Sequence, residues 1–97
     1  MPTYVLLMNF TDQGIRNIKG APERIAAAIQ TWESMGGSMR SFHMTMGAYD
    51  YVAIGEAPSD EAAATFLLGL GALGNVKTTT LKAFSREEAA SIIASLP

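Results

Sequence analysis

The chain has 97 residues, a formal net charge of −2, 48% hydrophobic and only 16% charged residues. That length provides for one core, so residues 1–97 are expected to form a single domain. Seven Lys and Arg, scattered from Arg16 to Arg86 without forming a patch, exclude the clustered cations of a nucleic-acid footprint, so no nucleic-acid partner is expected.

Thr3–Phe10 is rich in β-branched and aromatic residues and reads as a first strand. Thr11-Asp12 caps a short helical turn, and Pro22 suits the first position of a longer helix. Ile25, Ala28, Ile29, Trp32 and Met35 give that helix one apolar face, with Trp32 in the core. Gly36-Gly37 ends it. Residues 39–46 and 49–56 read as the second and third strands, turned at Gly47-Ala48. Ser59-Asp60-Glu61 opens the next helix with a capping hydroxyl and two acids near the positive end of its dipole. Ala63, Phe66, Leu67, Leu70 and Leu73 form its stripe. Gly69, Gly71 and Gly74 imitate a phosphate loop but follow a helix, so they read as packing and stop signals. Residues 76–84 form a fourth strand. Ser85-x-x-Glu88 is a capping box before a last helix carrying Ala89, Ile92, Ile93 and Leu96 on one side.

This order predicts an α+β, ferredoxin-like βαββαβ sandwich: a four-stranded antiparallel sheet with the long helices on one face, plus a C-terminal helix. The second sheet face is left without a cover. Strand alternation assigns Val5, Leu7, Val52, Ile54, Leu81 and Ala83 to the helix side. It assigns Tyr4, Leu6, Met8, Phe10, Tyr49, Tyr51, Ala53, Thr78, Thr80 and Lys82 to the open side. A three-residue hairpin loop would add Ser41, His43 and Thr45 to the open face; a two-residue loop would add Phe42, Met44 and Met46. The first is preferred, because it keeps the larger apolar residues under the helices. An open face of aromatics, hydroxyls and one Lys predicts pairing with a second copy of the chain, with space for a ligand between the sheets.

Several segments resemble the GYD family: Met-Pro-Thr-Tyr at the start, Thr11-Asp12-Gln13-Gly14, Gly36-Gly37 and Thr45-Met46-Gly47-Ala48-Tyr49-Asp50. Glu56-Ala57-Pro58, Asp60-Glu61-Ala62-Ala63 and residues 74–81 extend the likeness over essentially the whole chain. The resemblance implies a small protein of the dimeric α/β-barrel superfamily without a settled activity. Gly47-Ala48-Tyr49-Asp50-Tyr51-Val52 is also similar to a segment in the effector domain of leucine- and asparagine-responsive transcription regulators. There the turn lies near a small-molecule site between dimers; this chain lacks their DNA-binding helix-turn-helix.

The ligand-binding candidates are therefore His43, Tyr49, Asp50, Tyr51, Thr78, Thr80 and Lys82. His43, the only histidine, is the natural proton carrier if chemistry occurs. Asp50 more simply accepts hydrogen bonds from amides of the turn, and Gly47 supplies a positive φ there. With no cysteine and one histidine, no metal site is expected. No cofactor is expected either, although some barrels of the superfamily hold haem, for which His43 would be the axial ligand. No basic segment followed by an apolar run occurs at the start, and residues 62–76, the longest uncharged stretch, are too short to span a bilayer. A cytoplasmic homo-oligomer without a membrane partner is expected. Its leading role is binding a small organic molecule between sheet faces or near the Gly-x-Tyr-Asp turn. The alternatives are a cofactor-free monooxygenase or isomerase using His43 and the tyrosines, and a purely structural association domain.

Overall fold

The computed structural model describes residues 1–97. Strands β1 (Thr3–Phe10), β2 (Ser38–Met44), β3 (Tyr51–Glu56) and β4 (Val76–Ala83) form one antiparallel sheet in the order β2-β3-β1-β4. Helices are α1 (Asp12–Arg16), α2 (Ala21–Ser34), α3 (Asp60–Ala72) and α4 (Arg86–Ala94), with a 3-10 turn at Ile18–Gly20. Local chemistry accounts for their ends. Thr11 caps α1 and Ser59 caps α3 through side-chain oxygens that accept the Gly14 and Ala62 amides. Gly36, just past α2, has φ +98. The capping box of α4 is complete: Ser85 Oγ accepts the Glu88 amide, and the Glu88 carboxylate accepts the Ser85 amide.

The two sheet faces are the reverse of the assignment made from strand alternation. Tyr4, Leu6, Met8, Tyr51 and Ala53 are buried under α2 and α3, in one cluster with Trp32, Ala57 and Ala63. Val5, Leu7 and Val52 lie on the uncovered face with Ile54 and Leu81, which are 38% and 50% exposed. Trp32 explains the choice. Its fully buried indole lies over Gly55, against which even a Cβ would come within 3.0 Å, and it donates to the Glu56 carbonyl at 3.0 Å. So large a ring needs small residues beneath it, and Ala53, Gly55 and Ala57 alternate on that face alone. Tyr4 and Phe66 meet the indole edge-on, with centroids 6.4 and 5.0 Å away.

The β2–β3 connection also differs from the expected two- or three-residue turn. Met44 pairs with Tyr51, leaving residues 45–50 as the loop. The Thr45 amide donates to the Asp50 carbonyl at 2.8 Å, and the Asp50 amide donates to the Met8 carbonyl at 2.9 Å. The loop therefore closes its own hairpin at Thr45 and is also tied to the end of β1. Gly47, at φ +116, supplies the turn that was expected of it. The face expected for His43 is nevertheless found, since it pairs with Val52 on the open side while Phe42 packs toward the core.

Helix α4 stands off this body. None of its residues is buried, and Ile92, Ile93 and Leu96 are 49%, 64% and 68% exposed. The chain measures 52 × 30 × 19 Å with a radius of gyration of 14.7 Å, above the roughly 12.5 Å of a compact chain this long.

Candidate functional site

The residues singled out by sequence divide among three places. His43 is exposed on β2, an edge strand, on the open face. Tyr49 belongs to the loop, where its carbonyl accepts the Thr45 hydroxyl at 2.6 Å. Thr78, Thr80 and Lys82 pair with Met8, Leu6 and Tyr4, so they lie on the helix side of β4, not on the open face. Lys82 pairs with Asp60 at 3.1 Å, and Thr80 Oγ1 is buried without a hydrogen-bond partner.

Asp50 accepts an amide hydrogen bond, but from β1 rather than from the turn: Phe10 N lies 2.8 Å from Asp50 Oδ2. Asn9 Nδ2 donates to the Ala48 carbonyl at 2.8 Å, tying down the same loop. Next to Asp50, Tyr51 points its ring into the helix side. It lies 5.0 Å from both Phe10 and Phe42, and its burial, opposed by the charge of Arg24 and aided by that of Asp50, pushes its phenol pKa up.

Tyr51 forms part of the floor of a cavity of about 530 Å³ between α2, α3 and the sheet. Met8, Phe10, Phe42 and Val76 complete the sheet side. Ile25, Ala28 and Met35 line it from α2, and Phe66, Gly69 and Leu70 from α3. Small residues line it from both helices, Ala27 and Ala28 on α2 and Gly69 on α3, where a Cβ would meet nothing within 4 Å. A volume of this order, with apolar walls and few polar groups, suits a small organic ligand.

The Thr11-Asp12-Gln13-Gly14 segment lies outside the lining but holds Leu73 and Asn75, which belong to it. Thr11 N donates to the Asn75 carbonyl at 3.1 Å, and Gln13 Nε2 donates to the Leu73 carbonyl at 2.9 Å. Gly14 packs so closely on the Asn75 carbonyl that a Cβ has no room. These bonds lock the α3–β4 connection against α1. Arg24 of α2 reaches into the same region, donating to the carbonyls of Asn17 at 2.8 Å and Gly14 at 3.4 Å. It is shared between the cavity and an adjoining surface depression that is also lined by Arg16 and Lys19. Three cations thus meet in space, correcting the expectation that the basic residues form no patch. Sequence reasoning missed Arg24 because its separation from Tyr51 along the chain hides their proximity. The signal available was the turn after β1, whose exposed carbonyls call for donors.

No group of three or more His, Cys, Asp or Glu side chains is arranged to hold a metal ion. His43 and Tyr51 lie on opposite sheet faces, so the acid–base grouping of His43 with Tyr51 is not assembled within one chain.

A four-stranded antiparallel sheet with the long helices on one face defines an α+β, ferredoxin-like fold. The GYD domain pattern matches residues 4–93, and the chain belongs to the GYD domain family. It is 36% identical over 84 residues to the "Glutamine synthetase and cystathionine beta-lyase binding protein" of Thermus thermophilus, covering 86% of this chain and 88% of that protein. Its fold is similar to the crystal structure of MtbAldR, with a TM-score of 0.60 at 17% identity. The match covers 88% of this chain but only 52% of the MtbAldR chain, so this chain spans about half of that protein.

Proposed function

We propose that this single-domain chain is a non-catalytic, self-associating binding module that holds a small organic molecule in the cavity between α2, α3 and the sheet. The observation that carries the reading is the cavity itself, about 530 Å³ with mainly apolar walls, set behind the Gly47–Tyr49–Asp50 loop through Tyr51. The space opens to solvent between the helices, so its apolar walls meet water, and a bound apolar molecule would remove that contact. Of the candidates, Tyr51 is the binding residue and Asp50 fixes the loop behind it. His43, Tyr49, Thr78, Thr80 and Lys82 lie outside the cavity lining. Self-association uses the open sheet face, where Val5, Leu7, Val52, Ile54 and Leu81 form a contiguous apolar area. The cytoplasmic address belongs to the same proposal; no helix is long and apolar enough to cross a membrane.

Native mass spectrometry of freshly purified protein tests both parts together. The expected spectrum holds an even-numbered oligomer with added organic mass that disappears on denaturation. A bare monomer that takes up no apolar probe would overturn the reading.

A second reading has its own support. The name of the Thermus thermophilus relative describes binding to two enzymes, and here Phe84, Ile92, Ile93 and Leu96 form an exposed apolar stretch around α4. Association with another protein through α4 would be seen by titrating purified glutamine synthetase or cystathionine beta-lyase against this protein and its Ile92→Asp variant. Absence of binding to both enzymes would remove this reading and leave the first intact.

A further inference from the structure

The cavity ends at a charge whose position bears on the kind of molecule it would take. Arg24 is half-buried where the apolar cavity meets the neighbouring depression. Its hydrogen bonds go to two backbone carbonyls, and neither of the chain's two ion pairs includes it. A guanidinium carries five N–H donors in a planar fork suited to carboxylate and phosphate oxygens, so most of its capacity is unspent. The depression beyond it has no acidic residue among those lining it, while Arg16 and Lys19 add positive charge. Asp50 is the acid that acts on the neighbouring Tyr51, but its carboxylate is held at the Phe10 amide. The result is an apolar groove with a cationic end at Arg24.

Resting on the cavity reading above, we propose that the ligand is an amphipathic anion. Its apolar tail lies between α2 and α3 over Tyr51, and its carboxylate or phosphate head meets Arg24, with Arg16 and Lys19 around it. A head at this end gains a charge-assisted hydrogen bond in a partly dry setting, which a neutral head of the same tail does not. Arg24 is suited to orient either anion, whereas Arg16 and Lys19 favour the doubly charged one.

Calorimetric titration with decanoate, decyl phosphate, decanol and decylamine, below their micelle concentrations, tests this. The expected order has both anions at least about tenfold tighter than decanol, and decylamine weakest. Arg24→Gln should bring the anions down to the decanol level, while Arg24→Lys keeps a preference for them. Gly69→Leu, which adds bulk into open space, should abolish binding of all four probes without lowering the melting temperature. If decanoate binds while decyl phosphate does not, the head is a carboxylate; the converse makes it a phosphate, and either result upholds the anionic class. Equal affinity for decanol and the anions, unchanged in Arg24→Gln, overturns the anionic class but leaves the cavity reading standing. Failure of every probe to bind the wild-type protein overturns both.

Discussion

At the residue scale, the clearest relations are those in which one polar group answers another. Asp50 holds the Phe10 amide where β1 leaves the sheet, so Asp50→Ala leaves that donor unpaired. A hydrogen bond to a charged group contributes about 1.5–3 kcal/mol, and the variant should lose that much in a urea titration. Asp50→Asn, which keeps an acceptor, should lose less. An unchanged midpoint in Asp50→Ala would mean that the loop holds without this bond. His43 is exposed on an edge strand, and His43→Ala should move stability by no more than about 0.5 kcal/mol. Tyr4 gives a pH prediction. Burial first, and then its 2.5 Å hydrogen bond to Asp60, raise its phenol to about 12 from the ordinary 10.0. The folded state then holds a proton that the unfolded chain releases, so the stabilisation is complete below pH 10 and falls away as pH rises toward 12. Tyr51, also raised, acts in the same direction. Asp60 is lowered by the Tyr4 hydrogen bond and then by Lys82, so its contribution is present above pH 4 and fades as acid protonates it. Stability followed from pH 9 to 12 should fall less steeply in Tyr4→Phe than in the wild type. Equal slopes would mean that Tyr4 keeps an ordinary pKa.

At the element scale, the caps and most of the helix stripes were legible from sequence because each is a short-range pattern. The exception is Leu73, which was expected in the buried stripe of α3 but lies at its C-cap, 66% exposed. Ser85-x-x-Glu88, Ser59 and the residues around Trp32 lie where their spacing indicated. The facing of the sheet was not legible from alternation, because β1 is apolar at both sets of positions: Tyr4, Leu6 and Met8 on one, Val5 and Leu7 on the other. Hydrophobicity therefore carries no phase there, and the deciding fact is steric. Only the face with Ala53, Gly55 and Ala57 admits the indole of Trp32. The cavity was hidden for a related reason, since its lining brings together Ala28 of α2 and Gly69 of α3, which are far apart in sequence. Helix α4 raises a different question. It has nine residues and no buried side chain, and helices shorter than about 12–15 residues are marginal in water. Ser85→Ala, which removes half of the capping box, should therefore reduce helical circular dichroism in dilute protein by local fraying, without shifting the cooperative urea midpoint of the sheet. A shift of the whole transition would show that α4 is part of the cooperative core.

At the scale of the whole molecule, the bare sheet face and the projecting helix belong to one argument about assembly. By strand spacing and rise, a four-stranded sheet of this length offers a face of about 500 Å². A stable interface takes about 800 Å² from each partner, so the sheet face alone falls short. The exposed side chains of Phe84, Ile92, Ile93 and Leu96 are the nearest apolar area that could supply the remainder. A partner covering both would explain why a nine-residue helix persists away from its own core, and it would bury Ile54 and Leu81 on either side of Val5. The expected outcome is a dimer in sedimentation velocity at micromolar concentration. Ile54→Lys places a charge in the middle of that face while leaving the helix-side core untouched, so it should give a folded monomer with Trp32 still buried. Dimers weakened by deletion of residues 86–97 would identify α4 as part of the contact, and dimers unaffected by the deletion would confine it to the sheet. A wild-type protein that sediments as a monomer would remove self-association, and the open face would then need another partner to account for its exposed apolar residues.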